Sequence, residues 1–174
     1  MKVETHTIKN EVFLSDDRKN RYLLQRTWGS ENQAIVAVIT LKPVSVSGVE
    51  NDLTTMLIQN HVVEMGYQGY LVANLVSGID STKKLSETLL DRETEDELLK
   101  EVLNKKEVQQ IIIGCGSAVT QKGFAQDRLK EILSLLTKTN QHKVVAIVDD
   151  DNRPIHPLVP SIRNQPWTLK KIKL

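Results

Sequence analysis

His156 is the side chain whose neighbours best suit it to chemistry. It lies between Pro154 and Pro157, just beyond the apolar run at residues 144–148. An imidazole near neutral pH can act as acid, base or donor to a developing negative charge. The prolines restrict the backbone around it and deny it a helix. The plainer account is a structural histidine bonded to backbone. Asn74 ends another apolar run, at residues 69–75. Its amide offers a ligand edge both a donor and an acceptor, or bonds to its own turn. Gly114 and Gly116 follow the run at residues 108–113 and let backbone approach a ligand closely. They lack the third glycine of a dinucleotide fingerprint, and packing space for the next helix explains them equally. Lys42, Ser45, Asp52 and Thr54, after the run at residues 34–41, complete the set of candidate ligand contacts.

Other reactive side chains read as structural. Cys115 is the only cysteine, which excludes an internal disulfide and a cysteine-based zinc site. No basic neighbour lowers its pKa, so it reads as a small core residue. Asp149, Asp150 and Asp151 read as a solvated turn rather than a metal site. His6, His61 and His142 lack ligand-like spacing, and His61 is expected at a helix surface or boundary. No metal and no cofactor is assigned.

The elements that must position these residues follow from hydrophobic patterning. The four apolar runs, rich in β-branched residues, predict strands buried on both faces. A further strand is expected at residues 21–28, with a turn at 29–32. Asp52 or Asn51 caps a predicted helix over residues 53–65, which Gly66 stops. Thr94 opens a second helix, with Glu97 as its capping-box partner, running to about Asn104. A third covers residues 124–137, and Ser117 is a candidate cap before it. Residues 1–19 read as polar and irregular, 76–90 as loop with a turn at 78–81, and 163–174 as a basic tail. Strands alternating with helices predict one α/β domain over residues 1–174, a three-layer sandwich with a mostly parallel central sheet. In such a sheet the four strand ends share one edge, so the candidate residues converge there.

The composition narrows the function classes. Of 174 residues, 40% are hydrophobic and 26% charged, which suits a folded domain rather than a disordered chain. No apolar run is long enough to span a bilayer, and the N-terminus lacks a signal-peptide core, so a cytoplasmic location is expected. With 23 Lys and Arg against 22 Asp and Glu, the net charge of +1 argues against a dedicated duplex-DNA binder. Arg163, Lys170, Lys171 and Lys173 give the tail its charge and read as a solvated terminus.

Several short motifs occur in a recognisable order. They are Arg21-Tyr22-Leu23-Leu24-x-Arg26-x-Trp28, Leu41-Lys42-Pro43-x-Ser45, Asp52-x-Thr54 and Gly66-Tyr67-x-Gly69. Val72-Ala73-Asn74-Leu75, Gly114-x-Gly116 and His156-Pro157-Leu158 follow. Together they resemble a bacterial family, domain of unknown function 1643, over roughly residues 21–166. That resemblance implies an α/β fold and no particular activity. The family's usual asparagine before the proline is Lys42 here, and Val44 separates Pro43 from Ser45.

A more distant likeness is to the uracil-DNA glycosylase superfamily. Asn74, Gly116-Ser117-Ala118 with Gln121-Lys122-Gly123, and His156-Pro157-Leu158 look like three of its motifs. The likeness implies that Asn74 reads a base edge and His156 stabilises charge on a departing base. It also implies a glycosylase-like sandwich. The water-positioning Asp or Asn near Pro43 is missing, as is an aromatic residue in that loop, and aromatics are 4% of the chain.

The sequence therefore leaves three functions open. The first is a protein that binds a nucleobase, nucleotide or similar small ligand at the strand ends. The second is a base-acting hydrolase related to DNA glycosylases. The third is a non-catalytic interaction protein. Enzymatic activity and oligomeric state stay open.

Overall fold

The computed structural model describes residues 1–29, 33–79, 82–88 and 91–172. Ser30, Glu31 and Asn32 of the first expected turn, Asp80 and Ser81 of the second, and Lys173 of the tail lie outside them. The strands are β1 (Lys9–Leu14), β2 (Arg21–Thr27), β3 (Ile35–Thr40), β4 (Gly69–Asn74), β5 (Val108–Ile113), β6 (Val144–Ile147) and β7 (Leu169–Lys170). The helices are α1 (Leu53–Glu64), α2 (Arg92–Leu103), α3 (Phe124–Ser134) and α4 (Lys138–Gln141). Among the described residues, seven strands form one mixed sheet in the order β1-β2-β4-β3-β5-β6-β7. No helix among the described residues is long and apolar enough to cross a membrane.

All four apolar runs are strands, and they form the centre of the sheet. β3 pairs in parallel with β4 and β5, and β5 with β6. Every residue of β3 and β4 is buried, which is why neither shows polar alternation. The sheet is nonetheless mixed rather than mostly parallel. β1 and β2, β2 and β4, and β6 and β7 pair antiparallel.

The two outermost strands were not legible as strands. β1 lies in the stretch expected to be irregular, and β7 in the expected tail. β1 is Lys-Asn-Glu-Val-Phe-Leu and partly exposed throughout. Polar residues on an edge discourage pairing with another chain, and they also mask the strand pattern.

Two helix ends differ from expectation. α2 starts at Arg92, so Thr94 and Glu97 lie inside it and form no capping box. Glu93 and Glu95 occupy its first turn, and the exposed Glu93 places negative charge where it suits the helix dipole. α3 stops at Ser134, and Thr137 instead caps α4, accepting the Asn140 N–H at 3.3 Å. Ser117 makes no side-chain cap: the 3-10 turn Gly116–Val119 precedes α3.

The core explains where a crevice forms. Ile58 and Val62 of α1 share one cluster with Leu24, Val36, Val38 and Ile112. Leu99 and Val102 of α2 and Leu129 and Ile132 of α3 share the other with Ala37, Ile39, Leu71 and Ile111. The alternation within β3 sends Val36 and Val38 to one cluster and Ala37 and Ile39 to the other. After β3 the chain leaves towards the α1 cluster; after the adjacent β5 it leaves towards the α3 cluster. Connections that diverge from neighbouring parallel strands open a crevice at their carboxyl ends.

Candidate functional site

A cleft of about 210 Å³ opens at that edge. Arg21, Thr40, Lys42, Asp52, Thr54 and His156 are among its lining residues. Four candidates from the sequence therefore meet there: Lys42, Asp52, Thr54 and His156. Arg21 joins them from β2.

The His156 loop is seated by the glycines after β5. Pro157 is buried, and a Cβ on Gly114 would stand 3.4 Å from its Cδ. Gly116 has φ +66°, and a Cβ there would stand 3.2 Å from that of His156. Gly114 and Gly116 do not line the cleft; they support the loop that does. Within the loop, the Leu158 N–H donates to His156 Nδ1 at 3.1 Å. With that nitrogen accepting, a neutral ring carries its proton on Nε2. Burial pushes the imidazole below its ordinary pKa, and the Asp52 charge partly opposes this. The ring is thus a neutral donor at physiological pH. Arg163, from the basic tail, ties the loop down by donating from Nε to the Leu158 carbonyl at 2.8 Å.

Asp52 caps α1, as expected. Its Oδ1 accepts the Thr55 N–H at 3.0 Å and its Oδ2 the Thr55 hydroxyl at 2.7 Å. Each oxygen bonds the helix start, which fixes the orientation of the carboxylate.

The buried arginines of β2 went unassigned as site residues, although both stand in the opening motif. Arg21 donates from Nη1 to the Ser45 carbonyl at 2.9 Å. Arg26 donates from Nη2 to the Gly48 carbonyl at 3.1 Å and from Nη1 to Asn51 Oδ1. Together they hold the loop between β3 and α1. Ser45 contributes its carbonyl to Arg21, and its hydroxyl accepts the Ser47 N–H at 3.0 Å; it does not line the cleft. Arginines on either side of the apolar Tyr22-Leu23-Leu24 centre of the strand were the signal that could have found them.

Asn74 is fully buried and lies one residue behind the cleft wall. Its Nδ2 donates to Thr40 Oγ1 at 2.7 Å, and its Oδ1 has no hydrogen-bond partner. That bond occupies an acceptor site of the Thr40 hydroxyl and orients it. The amide reaches the cleft through Thr40 rather than directly.

The remaining candidates fall elsewhere. His61 is buried, not at a surface or boundary. Its ring nitrogens face the carbonyls of Leu57 at 2.8 Å and Gln165 at 3.0 Å, and it stacks on Trp167 at 4.2 Å. The returning C-terminal segment, invisible to a helical pattern, covers it. Cys115 is buried, and burial pushes its thiol pKa up. Asp149 forms a turn with Arg153, accepting its Nε at 2.9 Å. The basic tail is less free than expected: Lys170 donates to Asn152 Oδ1 at 2.5 Å and Lys171 to the His142 carbonyl. No group of three potential metal-ligating side chains occurs among the described residues. A wider cavity, about 590 Å³, opens at the opposite edge around Trp28, Ile35, Gln68 and Glu107, at the amino ends of the strands. It is larger and also lined by polar side chains, among them His6, Lys9, Glu11 and Lys105; the carboxyl-edge cleft differs in lying where parallel strands end and connections diverge.

A family model described as protein of unknown function (DUF1643) matches residues 21–158. No curated protein and no solved structure matches the chain. The match spans most of the chain, including every residue named in the cleft, and the chain belongs to that family.

Proposed function

We propose that this family member binds a small nucleotide-like ligand at the carboxyl edge of its sheet. The observation that carries this reading is the convergence of Arg21, Lys42, Asp52, Thr54 and His156, from four separate segments, on one cleft at the carboxyl end of β3. A volume of about 210 Å³ is below the range of roughly 300–1,000 Å³ usual for enclosed drug-sized ligands. The cleft therefore takes one ring or one charged group, and the rest of the ligand projects outward. A thermal-shift series over nucleobases, nucleosides and nucleotides tests this. Saturable stabilisation of the wild type that is reduced in His156→Ala is expected. No response to any member at millimolar concentration would refute the reading.

A base-acting hydrolase is the second reading. It is favoured by the neutral Nε2–H of His156, a donor suited to the charge on a departing base. The strand order β4-β3-β5-β6, with helices packed against both faces, supports a three-layer, glycosylase-like fold. Against it, the carboxylate that lines the cleft, Asp52, is held by Thr55 at the start of α1, and no second carboxylate joins it in the lining. Release of free base from deaminated single- or double-stranded DNA, lost in His156→Ala, would establish it.

A further inference from the structure

We propose that the cleft is an oxyanion subsite that holds the phosphate group of the ligand between Arg21, Lys42 and the first turn of α1. This rests on the reading of the cleft as a ligand site, and it names the part of the ligand that enters.

The free polar groups around the cleft are mostly donors. Arg21 is 3% exposed, yet its Nε has no hydrogen-bond partner and only Nη1 is used, on the Ser45 carbonyl. Burial pushes the guanidinium below its ordinary pKa, the expected result when a buried cation lacks a full counter-charge. The Lys42 ammonium makes no hydrogen bond or ion pair among the described residues. Thr54 lies in the first turn of α1, where backbone N–H groups have no intrahelical acceptor and the helix dipole favours an anion. His156 adds its Nε2–H.

The acceptors are fewer and partly used: each oxygen of Asp52 already accepts from Thr55, and Thr40 Oγ1 accepts from Asn74. The edge of a nucleobase presents donors and acceptors together and matches this excess of donors less well. An oxyanion presents acceptors alone. The charges agree: Arg21 and Lys42 outweigh Asp52, and His156 is neutral. A phosphate also fits within the cleft, and a nucleoside attached to it would project outward.

The test uses the full chain with adenosine, uridine, their monophosphates and inorganic phosphate, read by thermal shift and titration calorimetry. Phosphate and the monophosphates are expected to bind saturably, and the nucleosides at least about tenfold more weakly. Lys42→Gln is expected to weaken phosphate binding by about tenfold or more, since charge-assisted bonds are the strong ones. General salting stabilisation would raise wild type and variant alike and is thereby separated. Arg21→Lys should weaken binding too, and Lys42→Gln decides the matter should the buried arginine prove essential for folding. Nucleosides binding as well as their monophosphates, or Lys42→Gln binding phosphate unchanged, overturns the oxyanion subsite and leaves the ligand site standing. No binding of any probe overturns both.

Discussion

Asp52 acts at two places: it closes the start of α1 through Thr55, and its charge reaches His156. The two roles can be separated. Asn is as good an N-cap as Asp, so Asp52→Asn keeps the helix start and removes the charge. Burial already holds His156 below its ordinary pKa, and Asp52 opposes that shift. Asp52→Asn should therefore lower the His156 pKa further, which an NMR titration of the ring protons reads directly. An unchanged or raised value would mean that the two side chains do not communicate. Asp52 and His156 were legible from sequence because each has a local signature, a helix start and a proline-bracketed strand end. Arg21 was not legible as a site residue, because its strand is defined by its apolar neighbours. The deep placement of Asn74 was equally hidden, since a strand-end asparagine looks the same whether it faces a ligand or the Thr40 hydroxyl.

At the scale of elements, the turn after β5 sets the position of the His156 loop. Gly116 adopts φ +66°, a conformation that costs other residues about 1–2 kcal/mol, and its missing side chain admits His156. Gly114 has only ordinary van der Waals distances around a built Cβ, the nearest 3.4 Å. Gly116→Ala should lower stability by about 1–2 kcal/mol in denaturant unfolding and weaken ligand response. Gly114→Ala should change both much less. Equal effects of the two would show that backbone conformation at Gly116 is not what seats the loop. The central strands were legible because burial on both faces leaves an uninterrupted apolar run. β1 and β7 were not, because an edge strand needs only one neighbour and keeps a polar composition. The early start of α2 and the break between α3 and α4 depend on packing at helix ends, where periodicity is weakest.

At the scale of the whole molecule, a buried ionic cluster joins α2 to α3. Arg128 is 1% exposed and donates from Nε to the Leu75 carbonyl at 2.9 Å. Its Nη2 lies 2.6 Å from Asp96 Oδ1 but 3.9 Å from Glu95 Oε2. Glu95 is fully buried, and burial raises its pKa from 4.5 to about 8, against the pull of Arg128. A carboxyl raised in the folded state contributes stability that is complete below about 4.5 and is lost as pH rises through about 8. The wild-type Tm should fall across that window, and Glu95→Gln, which never ionises, should flatten the fall. An identical slope in the variant would place the pH dependence elsewhere. The sequence by itself determined the α/β class, the four central strands, the Asp52 cap and the edge at which His156 stands. Each of these follows from periodicity or local backbone chemistry, which act over a few residues. Only the tertiary structure decided the antiparallel flanks, the burial of His61 and the Glu95–Arg128 cluster, and the union of Arg21 with Lys42 and His156 in one cleft. These depend on which distant segments meet, and no short-range pattern encodes that.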